Sequence, residues 1–97
     1  MLRNLAASVL IYEKVRTTET KAKAVRTLVE RSITIAKKGD LTSRRRLISS
    51  LPQPNAVKKA MEVLGKRYKD RAGGYTKLVR LGNRTGDGAK VVQIELV

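Results

Sequence analysis

Residues 75–97 read YTKLVRLGNRTGDGAKVVQIELV, and this stretch decides whether the chain is all-helical or mixed. From Lys90 to Val97 the side chains alternate. Val92, Ile94 and Leu96 fall on one side and Gln93 and Glu95 on the other, the period of a half-buried strand. Tyr75 to Leu81 is rich in strand formers. Between the two lies Gly82 to Ala89, which holds three glycines together with Asn83 and Asp87, the chemistry of a turn. Two strands joined in this way read as an antiparallel hairpin.

Upstream the pattern is helical apart from a short segment at residues 14–17 and a basic stretch at residues 66–74. Leu2, Leu5, Ala6, Val9 and Leu10 recur at helical spacing and predict a helix from about Leu2 to Glu13. The apolar start superficially resembles a signal or transit peptide, but no small-residue cleavage site follows it, so the core-facing helix is the reading taken. Lys14 to Thr17 reads as a short strand or extended link. Thr18 is the expected N-cap of a second helix, with Glu19 in its first turn, where the helix dipole favours an acid. Its stripe is Ala22, Val25, Leu28, Val29, Ser32, Ile33 and Ala36, and Lys37-Lys38-Gly39 is the expected stop.

Asp40 then caps a third helix, whose partial stripe is Leu41, Leu47, Ile48 and Leu51. Pro52 and Pro54 end it, and Pro54 suits the first position of a fourth. There Val57, Ala60, Met61, Leu64 and Tyr68 face inward while Lys58, Lys59 and Glu62 face away. Lys66 to Gly74 is basic, contains glycine and lacks periodicity, so it reads as a loop. The expected fold class is therefore α+β: helix, short strand, three helices and an antiparallel hairpin, with helices on one face of a small mixed sheet. Residues 1–97 are read as a single domain with an aliphatic core, because 97 residues leave no room for a second.

Charge points to the partner. There are 22 Lys+Arg against 8 Asp+Glu, a formal net charge of +14, yet 41% of the chain is hydrophobic, enough for a folded domain. The excess is not a tail. Residues 1–48 hold 12 basic and 4 acidic residues, net +8, and residues 49–97 hold 10 and 4, net +6. A positive field spread over a folded body calls for a polyanion. The absence of Cys, His and Trp removes disulfides, thiol nucleophiles, imidazole metal sites and every His-based triad. The eight acids are scattered, so no carboxylate pair for acid–base or magnesium chemistry is visible. No enzyme activity, cofactor, metal or small-molecule substrate is expected.

Three basic groups are candidates for phosphate contact. Arg44-Arg45-Arg46 spans most of the circumference of a short helix, and reads either as a solvated face or as a phosphate grip. The run from Lys66 to Tyr75 gathers Lys66, Arg67, Lys69 and Arg71 with Tyr68, Tyr75 and the Gly73-Gly74 pair. Arginines offer bidentate donors, glycines allow backbone N–H groups near a phosphate, and a tyrosine offers a stacking face. Against that, Tyr68 continues the spacing from Leu64 as a core residue, and Tyr75 also reads as a strand's first residue. The third group, Arg3, Lys14, Arg16, Lys21 and Lys23, adds to the total field. The expected RNA-binding set is Arg3, Arg16, Arg44, Arg45, Arg46, Lys66, Arg67, Arg71, Gly73, Gly74, Tyr75, Lys77 and Arg84. In this set Tyr75 stacks or packs at the RNA edge, and the pair Arg67 and Arg71 matters more for RNA than Lys58 and Lys59.

The order of motifs resembles a known family. Arg3-Asn4-Leu5 heads a helix, and Thr17-Thr18 precedes Lys21-Ala22-Lys23. Arg71-Ala72-Gly73-Gly74-Tyr75-Thr76, Gly86-Asp87 and the closing Ile94-Glu95-Leu96-Val97 then follow. Together they resemble the bacterial large-subunit ribosomal protein of family seventeen across the whole chain. The resemblance implies a two-layer domain that binds large-subunit ribosomal RNA near the peptide exit, beside other ribosomal proteins, in the bacterial cytoplasm or an organelle. That family starts with a basic, His-containing arm, and Met1-Leu2-Arg3-Asn4 looks like an internal stretch of its pattern. Composition alone also admits a small nucleoid-type DNA-binding protein. An adaptor for acidic membranes is disfavoured, because it would have to expose the apolar stripes that the core needs.

Overall fold

In the computed structural model, residues 2–83, 86 and 88–97 are described. Helix α1 (Leu2–Tyr12) leads into strand β1 (Lys14–Thr18), followed by α2 (Glu19–Ala36) and α3 (Leu41–Ser50). A longer helical segment, residues 54–67, starts as α-helix at Pro54–Lys59 and widens into a π-helical turn at Ala60–Leu64. It closes as α-helix at Gly65–Arg67 and is called α4 here. Strands β2 (Thr76–Asn83) and β3 (Lys90–Leu96) complete the fold.

The sheet order is β1-β3-β2, and both pairings are antiparallel. The expected α+β layout holds, with one correction: the sheet is antiparallel throughout rather than mixed. Three helices and β2 separate β1 from β3, so local sequence leaves the direction of β1 open. Pairing Lys14 with Glu95 and Thr18 with Val91 sets it. On the other side of β3, Arg80 opposes Val92 and Gly82 opposes Val91, so Leu81 is the extra residue of a β-bulge.

One cluster of buried side chains joins all layers. Val9 and Leu10 from α1, Val25, Val29 and Ile33 from α2, and Leu47 from α3 meet Leu64, Tyr68, Tyr75 and Ile94. The α2 stripe is buried as its spacing predicts, except that Leu28 is half-buried, and Ile35 joins it. Gly39, at φ 69°, takes the left-handed position after the helix. Asp40 caps α3 by accepting from the Ser43 N–H at 2.7 Å, whereas Thr18 precedes α2 without a side-chain cap. The α3 stripe is narrower than expected. Ser43 and Leu47 are buried within the helix, whereas Leu41 and Ile48 stay 63% and 59% exposed, because the helix packs along a single edge.

Glu13 closes α1 in an unusual way for a non-glycine residue, at φ 67°. A left-handed conformation costs roughly 1–2 kcal/mol for a residue with a Cβ. Several bonds hold it. Its carboxylate accepts from Lys59 at 2.8 Å and from both terminal nitrogens of Arg67 at 2.5 and 3.1 Å, while its carbonyl accepts from the Leu96 N–H at 2.9 Å. Lys59 also donates to the Ile11 carbonyl at 2.7 Å. Lys59, expected to face away, thus ties α4 to the end of α1.

The hydrogen bonds from Arg67 and then Lys59 hold the Glu13 carboxyl at about 2, against 4.5 for a free glutamate. A carboxylate with a depressed folded-state pKa stabilises the fold fully above its unfolded value, and that contribution fades as pH falls from about 4.5 towards 2. Because the site is about a third open to water, the expected contribution is only ~1–2 kcal/mol after screening. Glu13→Gln is expected to lose that amount at pH 7 and to flatten the acid limb of stability, as read from urea unfolding at several pH values. An unchanged acid limb would deny Glu13 this role.

Candidate nucleic-acid interface

The acids of the chain are largely engaged. Among the described residues, Glu13, Glu19, Glu30 and Glu95 form ion pairs with Lys59 and Arg67, Lys23, Arg26 and Lys77 respectively, and Asp40 serves as a cap. These interactions occupy few of the cations. Arg3, Arg16, Arg44, Arg45, Arg46, Lys66, Lys69 and Arg71 are exposed, and none has an ion-pair partner among the described residues. The positive field therefore faces outward on side chains free to meet phosphates.

The residues expected to form one basic loop divide between two roles. Lys66 and Arg67 belong to the last turn of α4 rather than to a loop, and Arg67 turns back onto Glu13, with its guanidinium also 5.8 Å from the Tyr68 ring centroid. Tyr68 is buried, and its hydroxyl donates to the Val97 carbonyl at 2.5 Å. Tyr75 is only 1% exposed, which corrects the expectation of a stacking face. Its ring packs 5.2 Å from that of Tyr68, centroid to centroid, at an interplanar angle of 53°. Its hydroxyl accepts from Lys37 at 3.1 Å and donates to the Arg71 carbonyl at 3.2 Å.

Lys37, which the sequence presents only as a helix stop, is therefore a structural anchor. Its ammonium also donates to the Arg71 carbonyl and lies 5.3 Å from the Tyr75 ring centroid. This holds residues 71–75 over the end of α2. What remains free in that segment is the Arg71 side chain, together with the exposed Gly73 and Gly74. A Cβ built at either glycine meets nothing within 4 Å, although Gly74, at φ 66°, disfavours a side chain on conformational grounds. Lys77 is paired with Glu95 at 3.6 Å but stays 59% exposed. Arg84 lies outside the described residues.

Two expected residues come together with two that were not in the expected set. Arg44 from the first turns of α3 and Lys66 from the end of α4 line one groove of about 320 Å³ with Lys37 and Lys69. Its floor includes Ala36 and Gly65, where α2 and α4 are in close contact. Arg3 and Arg16 lie elsewhere, on α1 and β1, and do not join it.

A small α+β domain with a large excess of outward-facing cations has the surface of a basic protein, the class whose charge suits a polyanionic partner. Comparison with known proteins makes this particular. The family model described as ribosomal protein L17 matches residues 1–97, and the chain belongs to that family. Its relatives carry the name large ribosomal subunit protein bL17. That of Solibacter usitatus is 55% identical over 97 residues, covering all of this chain and 65% of its own length. Those of Desulforudis audaxviator and Dehalococcoides mccartyi are 47% and 45% identical, with 87% and 83% of their lengths covered. The chain thus spans just under two thirds of the Solibacter protein and most of the other two. It is a ribosomal protein rather than an enzyme.

Proposed function

We propose that the chain is a structural constituent of the large ribosomal subunit in the bacterial cytoplasm, and that it binds ribosomal RNA by neutralising phosphates. By family resemblance, its place is near the peptide exit, beside other large-subunit proteins. The observation that carries this reading is the division of charge: among the described residues five acids are engaged in pairs or a cap, while arginines and lysines on several elements have no ion-pair partner. Such a surface grips backbone and shape rather than reading single bases. Arg3, Arg16, Arg44, Arg45, Arg46, Lys66 and Arg71 are the cations proposed to hold phosphates, with Gly73 and Gly74 leaving room for close approach of a strand. Arg67 and Tyr75 act instead by holding the fold together.

The nucleoid-type alternative finds no support in the family to which the chain belongs. Competition at fixed salt between structured large-subunit RNA and duplex DNA of equal length tests the reading. The RNA is expected to win, with an affinity that falls by roughly three to five decades between 50 and 200 mM salt if six to ten phosphates are neutralised. Equal competition by duplex DNA would reduce the protein to a non-selective polycation.

A further inference from the structure

The groove between α2, α3 and α4 has the properties of a binding site rather than of a solvated basic face. Four cations line it: Lys37 just after α2, Arg44 in α3, Lys66 in the last turn of α4 and Lys69 just beyond it. One of them is fixed in place, since the Lys37 ammonium is bonded to the Arg71 carbonyl and the Tyr75 hydroxyl. A cation held in advance loses little freedom when an anion arrives. The volume, about 320 Å³, lies at the small end of the range for ligand pockets, roughly 300–1,000 Å³. It admits a group the size of one nucleotide and is far too narrow for a double helix.

No aromatic side chain lines the groove, because both nearby tyrosine rings are turned into the core. The site therefore offers no platform for a base. Its floor of Ala36 and Gly65, with Met61 beside them, instead presents small and apolar surface on which a ribose can rest. Glu62 stands on the wall as a carboxylate that opposes any anion entering.

We propose that this groove receives the phosphodiester backbone of an unpaired RNA strand, at a bulge or loop that leaves its duplex. The inference rests on the reading of the chain as an RNA-binding ribosomal protein, and it narrows that reading to one seat and one form of RNA. Charge in the groove then contributes directional contact rather than a share of the general field, and bulged RNA is favoured over a perfect duplex.

The test compares two double variants with equal loss of charge. Lys66→Gln with Lys69→Gln removes two groove cations, whereas Arg31→Gln with Lys58→Gln removes two exposed cations outside it. Each is titrated with an RNA hairpin carrying a bulge and with the same hairpin fully paired, over a range of salt. The groove variant is expected to lower the salt slope by about two and to erase the preference for the bulge. The control pair is expected to keep both. Glu62→Gln is expected to tighten binding of the bulged RNA. Inorganic phosphate, added at constant ionic strength, is expected to compete only at concentrations far above those of the RNA.

Equal slopes and equal preference in the two double variants would overturn the groove as a seat and leave binding to net charge alone. Unchanged or weaker binding by Glu62→Gln would likewise remove the groove from the contact, and inorganic phosphate competing as well as RNA would make it a site for a free anion. Failure of the unmodified protein to bind either hairpin would instead defeat the RNA-binding reading itself.

Discussion

Tyr75→Ala is expected to destabilise the protein by about 3–5 kcal/mol, a large share of the roughly 5–15 kcal/mol typical of a small domain. The ring is almost wholly buried between Tyr68 and the Lys37 ammonium, and its hydroxyl is bonded to Lys37 and Arg71. Truncation leaves a cavity and strips one acceptor from a half-buried ammonium. Residues 71–75 lose their tie to the end of α2. Tyr75→Phe keeps the ring and removes only the hydroxyl, so a smaller loss of about 1–2 kcal/mol is expected. Urea midpoints of the two variants separate the contributions. Near-native stability of Tyr75→Ala, combined with a sharp loss of RNA affinity, would return the ring to the RNA edge and sink the assignment made here.

The residues that the sequence placed correctly share a property: their signal is local. The stripe of α2, the cap at Asp40, the left-handed Gly39 and the alternation of β3 each depend on neighbours within a turn or two, and each appears as read. Tyr68 belongs with them, because it continues a helical spacing. Tyr75 does not. Its burial depends on Lys37, 38 positions away, and no periodicity carries that information.

The same holds for charge. Lys59 and Arg67 look like any other surface cations until the fold brings Glu13 to them across 46 and 54 positions. The sum of the charges is therefore legible in the sequence, and their division between pairing and exposure is not. Sequence groups Arg67 with Arg71 as phosphate contacts, yet the Arg67 guanidinium is bound to Glu13, whereas that of Arg71 has no ion-pair partner among the described residues. The contrast expected between the pair Arg67 and Arg71 and the pair Lys58 and Lys59 is correspondingly confounded, since Arg67 and Lys59 act on the same carboxylate. The groove is illegible for a related reason: its cations lie on or beside α2, α3 and α4, and only packing unites them.

Gly65→Val is expected to be the most damaging single change outside the hydrophobic side chains, although local propensity argues the opposite. Gly65 has ordinary helical geometry, at φ −58° and ψ −39°, so a residue with a Cβ meets no backbone strain there. Considered as a helix position alone, Gly→Ala would gain roughly 1 kcal/mol. The neighbour decides otherwise. A Cβ at this position would lie 2.8 Å from the Ala36 carbonyl oxygen and 3.2 Å from its carbon, and both are backbone atoms that no rotamer change can move. Leu64 and Gly65, at the end of the π-helical turn Ala60–Leu64, are both buried, and the lack of a side chain on Gly65 leaves room for this approach. Adding a side chain forces the two helices apart, and overpacking of this kind costs about 1–3 kcal/mol. Gly65→Ala, with its propensity gain set against that cost, is expected to lose about 1–2 kcal/mol. Valine adds two more methyl groups and a β-branch, and is expected to exceed 3 kcal/mol. Because Ala36 and Gly65 are also the floor of the basic groove, the alanine variant is expected to weaken bulged RNA more than paired RNA even where it is fully folded. Thermal and urea unfolding of both variants, followed by RNA titration of Gly65→Ala, tests the two claims separately. A stabilised Gly65→Ala would show that α2 and α4 are not in close contact, and the groove would lose the floor on which its proposed role depends.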